Sequence, residues 1–256
     1  MSTVLKVLNA TMLKKKPIQS SELLDSHKQP LESGKELEVH SFTIERDHLR
    51  IAFAKEKFHG FNTWYAFGKH IQILREGAVV YPKPRPARVT LPIPYKSQLD
   101  NEENPNGSCN VTSLAMCLEF LGISGRQPTQ QFEDELYNYA IARGLSRHDP
   151  HDLALIVEAY GARDDFRANA KIEEVQDWLA TGNPAVIHGY FTSFGHIIVV
   201  TGYNETGFWV HDPFGEWTSS GYRMDLSGES LHYSYNLIRR VCIPDGNFWV
   251  HFISKK

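Results

Sequence analysis

Gly107-Ser108-Cys109-Asn110-Val111-Thr112-Ser113-Leu114-Ala115-Met116-Cys117-Leu118 places a cysteine directly before an apolar helical pattern. Val111, Leu114, Ala115 and Leu118 follow the i, i+3, i+4, i+7 rule, which predicts a helix over 110–121 that Gly122 ends. Cys109 then sits at the helix mouth, beside free backbone N–H groups and the positive end of the helix dipole. Such a position favours thiolate and, with a cationic neighbour, lowers a cysteine pKa from about 8.5 to as little as about 3.5. The same cysteine also fits a small buried core residue, so a partner must decide between the two.

Working outward, Phe194-Gly195-His196-Ile197-Ile198-Val199-Val200 opens an apolar strand with a histidine, and Asp212-Pro213 closes the run Phe208-Trp209-Val210-His211. Thiol catalysis needs a base at the sulfur and a group that orients the base, and His196 and Asp212 supply those residue types. Their spacing is awkward. A three-residue hairpin loop, Glu205-Thr206-Gly207, with Gly207 left-handed, pairs Asn204 with Phe208 and Val200 with Asp212. His196 and Asp212 then share a face but lie four residues apart, roughly 13 Å in an ideal ladder. A bend or bulge is required. Further helices are expected over 129–143, 150–160 (Asp149 as N-cap, Pro150 at N1) and 172–179, and strands over 185–191, 196–203 and 208–211. The C-terminal part is thus α+β.

The first 75 residues lack a long amphipathic pattern. Short β runs over 3–11, 36–44, 48–54 and 63–73 predict a small all-β barrel. Ser20-Ser21-Glu22-Leu23, Gly34, His48-Leu49-Arg50-Ile51 and Asn62-Thr63-Trp64-Tyr65-Ala66-Phe67 resemble a bacterial SH3-like domain, which implies a binding or positioning role, often toward cell wall. Trp64, Tyr65 and Phe67 read as its core rather than a ligand platform. Over 76–90, Pro82, Pro84 and Pro86 alternate with other residues and predict an extended spacer. The expected organisation is a barrel over 1–75, a linker over 76–90 and a catalytic domain over 91–256.

Leu91-Pro92-Ile93-Pro94-Tyr95-Lys96-Ser97-Gln98, Gly107-Ser108-Cys109, Asn183-Pro184-Ala185, Gly195-His196, Thr201-Gly202-Tyr203 and His211-Asp212-Pro213-Phe214-Gly215 together resemble the C39-like cysteine peptidases, from residue 91 to about 216. The resemblance implies a papain-like fold, with Cys109 as nucleophile, His196 as base, Asp212 as its orienting partner and Gln98 as an oxyanion donor. A side-chain amide there and the Cys109 N–H would give two donors to a tetrahedral oxyanion. Family members often carry Gly-Pro after the nucleophile; Asn110-Val111 stands here instead, so the pocket wall beside the sulfur differs. The segment 217–256 lies outside the motifs. No cofactor is implied. The expected partner is a peptide or cell-wall peptide. A transpeptidase or stem-peptide amidase using the same centre, and a non-catalytic peptide-binding protein, are the alternatives.

Composition excludes other classes. The chain has 256 residues, 41% apolar and 22% charged, with a net charge of −3, and gives no electrostatic case for nucleic acid. No apolar run of about 18 residues suggests a membrane span, and the N-terminus shows no signal-peptide pattern. Cys117 and Cys242 read as buried and inert. His148-Asp149-Pro150-His151-Asp152 fits helix capping better than a metal site, and His188 reads as a strand-face histidine.

Overall fold

The computed structural model describes residues 2–256, and the chain divides into two units, Met1–Pro84 and Arg85–Lys256. The first unit contains β1 (Thr3–Val7), β2 (Thr11–Lys14), β3 (Lys28–Leu31), β4 (Glu36–Glu45), β5 (His48–Phe53), β6 (Thr63–Phe67), β7 (Ile71–Arg75) and β8 (Ala78–Tyr81). They form one antiparallel sheet in the order β3-β2-β6-β5-β4-β1-β7-β8. β4 pairs with β1 through 36–38 and with β5 through 39–45, with a register shift between Val39 and Ser41. Such an irregularity increases the local bend and twist of a strand. Both halves contribute to one core, which includes Leu5, Val39, Ile51, Trp64 and Ile71.

This unit departs from the sequence expectation. No pairing joins β3 to β8 among the described residues, so the sheet is open and the closed SH3-like barrel is not found. The sheet also runs beyond residue 75, because β8 pairs with β7. Trp64 is fully buried in the core, whereas Tyr65 and Phe67 are only half-buried.

The second unit runs β9 (Val89–Thr90), α1 (Cys109–Phe120), α2 (Phe132–Arg143), α3 (Pro150–Ala159), β10 (Ala162–Arg167), α4 (Ile172–Ala180), β11 (Ala185–Gly189), β12 (His196–Tyr203), β13 (Gly207–His211), β14 (Glu216–Thr218), β15 (Gly221–Arg223), β16 (Leu231–Ser234), α5 (Tyr235–Cys242) and β17 (Val250–Lys255). Its main sheet has the order β10-β17-β11-β12-β13-β16, with β9 beside β12. The period-two rule divides the side chains between two cores. Val186, Val199 and Ile253 pack with α1, α2 and α3, while Ala185, Ile187, Ile198, Val200 and Phe252 pack with α4 and α5. The unit is therefore α+β, with helices on both faces of the sheet.

Helix starts follow local chemistry. Asp149 caps α3 by accepting from the His151 N–H at 2.8 Å, with Pro150 in the first turn. Helix α2 begins at Phe132 rather than near 129. Residues 127–130 form a turn instead, the Gln130 N–H donating to the Gln127 carbonyl at 3.2 Å, and the Glu135 carboxylate accepts from the Arg126 and Gln127 N–H groups, both at 2.7 Å. Nine residues of α1, from Asn110 to Leu118, are buried, so the helix is enclosed on more than the one stripe its pattern marks.

Candidate active site

Cys109 is the first residue of α1, and its thiol is half-buried. At that position the N–H has no intrahelical partner. The other two thiols are buried, and burial pushes the pKa of each upward. Burial acts the same way on Cys109, but the charge and hydrogen bond of His196, with the Ile197 N–H, outweigh it and lower its pKa.

β12 brings His196 to Cys109, and β13 ends at His211 with Asp212 next. The His196 Nε2 lies 2.7 Å from Asp212 Oδ1, which leaves Nδ1 for the sulfur. Burial alone would disfavour the imidazolium, yet the Asp212 and Cys109 charges raise the His196 pKa to about 10. Asp212 thus holds His196 by a direct hydrogen bond, and His196 lines the same cavity as Cys109, whose ionisation its charge favours.

The missing bulge lies in β12. Tyr203 pairs with Phe208 and Gly202 with Trp209, but the register then shifts so that Val200 faces Val210 and Val199 faces His211. Continued by one step, this register sets Asp212 opposite Ile198 rather than Val200, two residues nearer His196 than the simple hairpin allowed. Gly207 is also not left-handed. A Cβ there would come within 2.3 Å of the Tyr233 carbonyl oxygen, so this glycine lets β16 approach closely.

Asp212 is fully buried, and its carboxylate accepts four hydrogen bonds. Besides His196, the Phe214 N–H donates to Oδ1 at 3.0 Å, and the Tyr222 and Tyr233 hydroxyls donate to Oδ2 at 3.0 and 3.2 Å. Burial, then the Asp212 charge, raises both phenol pKa values and keeps them protonated donors. Sequence reading missed the two tyrosines because they lie in β15 and β16, beyond the motif-bearing stretch. The Asp212 backbone is held as well, with its N–H donating to Gly228 O at 2.9 Å and its carbonyl accepting from Tyr95 OH at 3.3 Å.

Gln98 is buried, with its Nε2 donating to the Pro105 carbonyl at 2.8 Å. That carbonyl fixes which way the amide faces and leaves the second Nε2–H free. Gln98, Cys109 and His196 line one cavity of about 530 Å³. Asn110 does not cap α1: its Nδ2 donates to the Arg147 carbonyl at 2.7 Å, and its Oδ1 accepts from the Val111 N–H at 2.9 Å and from Arg147 Nη1 at 3.3 Å.

Three other buried or half-buried histidines of this unit have structural partners. His211 is buried; its Nδ1 accepts from the Ser230 N–H at 3.0 Å, so its Nε2 donates to the Ile93 carbonyl at 2.9 Å. His188 meets His251, Nε2 to Nε2, at 2.9 Å, and His251 Nδ1 meets the buried Asp164 at 2.8 Å. Among the described residues no cluster suits a metal ion. No helix there is long and apolar enough to cross a membrane.

A thiol at a helix mouth, paired with a strand histidine and a buried carboxylate, defines a Cys-His-Asp arrangement on an α+β unit. The chain belongs to the Peptidase C39 like family, whose model matches residues 90–243. Among solved structures it is similar to a protein from Bacillus anthracis described as a C39-like peptidase, at 18% identity and a TM-score of 0.48, over 66% of this chain and 99% of that one. It is also similar to a double glycine motif protease from an AMS/PCAT transporter, solved with its leader peptide, at 14% identity and a TM-score of 0.39, over 68% of this chain and 96% of that one. None of the curated proteins matches the chain.

Proposed function

We propose that this protein is a cysteine peptidase in which Cys109 is the nucleophile, His196 the general base and acid, Asp212 the orienting carboxylate and Gln98 an oxyanion donor. The observation that carries the reading is the 2.7 Å bond from His196 Nε2 to the buried Asp212, with Cys109 at the start of α1 lining the same cavity as His196. Family membership supports the same chemistry.

His196 takes the thiol proton, and the thiolate attacks the peptide carbonyl carbon. The developing oxyanion receives the Cys109 N–H and the free Gln98 Nε2–H. His196 then protonates the leaving amine and the C–N bond breaks; the same base next takes a proton from water, which attacks the thioester carbon, and the C–S bond breaks to release the acid and regenerate the Cys109 thiolate. Asp212 holds the ring with Nδ1 toward sulfur throughout.

The test is cleavage of a mixed peptide library followed by mass spectrometry, with the wild type, Cys109→Ala and iodoacetamide-treated protein in parallel. Cleavage by the wild type alone is expected, with carboxymethylamide on Cys109. Cleavage that persists in Cys109→Ala would sink the assignment. Peptide binding without turnover by the wild type would favour the non-catalytic alternative.

A further inference from the structure

Arg147 lies in the connection between α2 and α3 and is only 9% exposed. Its Nη1 donates to the Gly107 carbonyl at 2.9 Å and to Asn110 Oδ1 at 3.3 Å. The guanidinium rests 3.9 Å from the centre of the Tyr137 ring. Arg85, Arg167 and Arg223 each pair with a carboxylate and are more exposed. Arg147 has no carboxylate partner among the described residues, although arginine is seldom so buried unless it is paired.

The two bonds from Nη1 anchor the side chain on either side of Cys109, to the Gly107 backbone carbonyl and to the Asn110 side-chain amide oxygen. Nε and Nη2 have no acceptor among the described residues, and together they form the edge of a guanidinium that grips a carboxylate with two parallel bonds. Arg147 lines the same cavity as Cys109 and His196. Two other charged or titratable groups of that wall matter. His148, next in sequence, is exposed and adds no negative charge. Asp245 is an acid of the cavity, but it is exposed and already accepts from the Asn247 N–H at 3.0 Å and its Nδ2 at 3.3 Å. Solvent screens an exposed carboxylate far more than a buried guanidinium, so Arg147 sets the charge preference of the cavity.

We infer that Arg147 is a substrate-binding residue that takes a carboxylate, so that the preferred peptides carry an acidic side chain or a free α-carboxylate within reach of the Cys109 cleft. This rests on the peptidase reading above and names its substrate class. The uncompensated, nearly buried guanidinium in the nucleophile's cavity carries it.

Three thiol-directed probes test it: the α-amide of bromoacetylglutamate, bromoacetylglutamine with its free α-carboxylate, and neutral bromoacetylglutamine amide. Second-order rate constants are read at Cys109 by peptide mapping. At least one charged probe should react tenfold or more faster than the neutral one, and which one does so separates side-chain from terminal carboxylate. In Arg147→Gln the charged probes should fall to the neutral rate, while Arg147→Lys should retain part of the preference. Equal rates for all three in the wild type overturn the inference. So does a preference that survives in Arg147→Gln, which would assign it to the His196 imidazolium. Should Arg147→Gln not fold, protection of wild-type Cys109 from iodoacetamide by acetylglutamate α-amide and by acetylglutamine with its free α-carboxylate, each against acetylglutamine amide, decides, equal protection by all three counting against Arg147. A Cys109 no faster than free cysteine toward the neutral probe denies the nucleophile, while the charged-to-neutral ratio still judges Arg147.

Discussion

Asp212 carries four donors on two oxygens, and that satisfaction predicts how its variants behave. In Asp212→Asn the amide oxygen can stay on His196 and Phe214, while the amide nitrogen turns to Tyr222 and Tyr233, whose hydroxyls can rotate to accept. What is lost is the charge that stabilises the imidazolium. A hydrogen bond to a charged group contributes about 1.5–3 kcal/mol, so kcat/KM should fall by about 10- to 10²-fold in Asp212→Asn. Asp212→Ala should fall further, because the ring and both phenols lose their acceptor, and His211→Ala should spare the chemistry relative to both. Steady-state kinetics on one peptide checks this order; near-normal turnover in Asp212→Ala would remove the aspartate from the site. The wild-type pH profile follows from the same contacts. Cys109 ionises below its ordinary range and His196 loses its proton near pH 10, so the thiolate–imidazolium pair exists between those limits. Activity should rise as Cys109 ionises and fall near pH 10, and Asp212→Asn should move the alkaline limb downward. A profile whose alkaline limb ignores Asp212→Asn would mean that another group sets it.

Between strands, placement of the triad depends on close backbone approach. A Cβ on Gly228 would lie 1.8 Å from the Asp212 carbonyl oxygen, so Gly228→Ala must displace the segment that carries the carboxylate. A misplacement of about 1 Å costs roughly 10² in rate, and a loss of that size is expected for Gly228→Ala. Iodoacetamide should still label Cys109 ahead of Cys117 and Cys242, because the latter two are buried with raised pKa values. Full peptidase activity in Gly228→Ala would show that the Asp212 backbone has room to move. Helix α1, the Asp149 cap and strand β12 were legible in the sequence because each is set by local spacing or a single side chain. The Thr201 region was not. Period-two alternation gives a strand's faces, but the register shift between Val200 and Gly202 comes from neighbours on both edges of β12. One edge is β9, whose Val89 carbonyl would lie 2.3 Å from a Cβ on Gly202. Tyr222 and Tyr233 were hidden for a related reason, since Tyr233 reaches Asp212 through the pairing of β16 with β13 and Tyr222 through its hydroxyl from the separate β14-β15 hairpin.

At the scale of the whole chain, the proline-rich stretch was the clearest boundary signal, but the alternation of Pro82, Pro84 and Pro86 does not reveal where pairing resumes. Strand β8 carries the first sheet to Tyr81, and the second unit begins earlier than residue 91. The Pro86 carbonyl accepts from Tyr203 OH at 2.8 Å, Arg85 Nε lies 2.7 Å from Asp177, and β9 adds Val89 and Thr90 to the edge of β12. The chain 85–256 holds both cores of the second unit and every residue of the proposed site, so it should fold alone and keep the wild-type rate of Cys109 alkylation. The chain 91–256, cut where the sequence motifs begin, should be less stable. It loses the Tyr203 and Asp177 partners and β9, a strand beside the bulge that sets Asp212 against His196. Thermal unfolding of the two fragments, with iodoacetamide rates at Cys109, measures the difference. A lower midpoint and slower labelling in 91–256 than in 85–256 are expected. Equal midpoints and rates would mean that residues 85–90 contribute nothing to the site, and that the register of β12 and β13 is held from the β13 side, by β16 and Gly228.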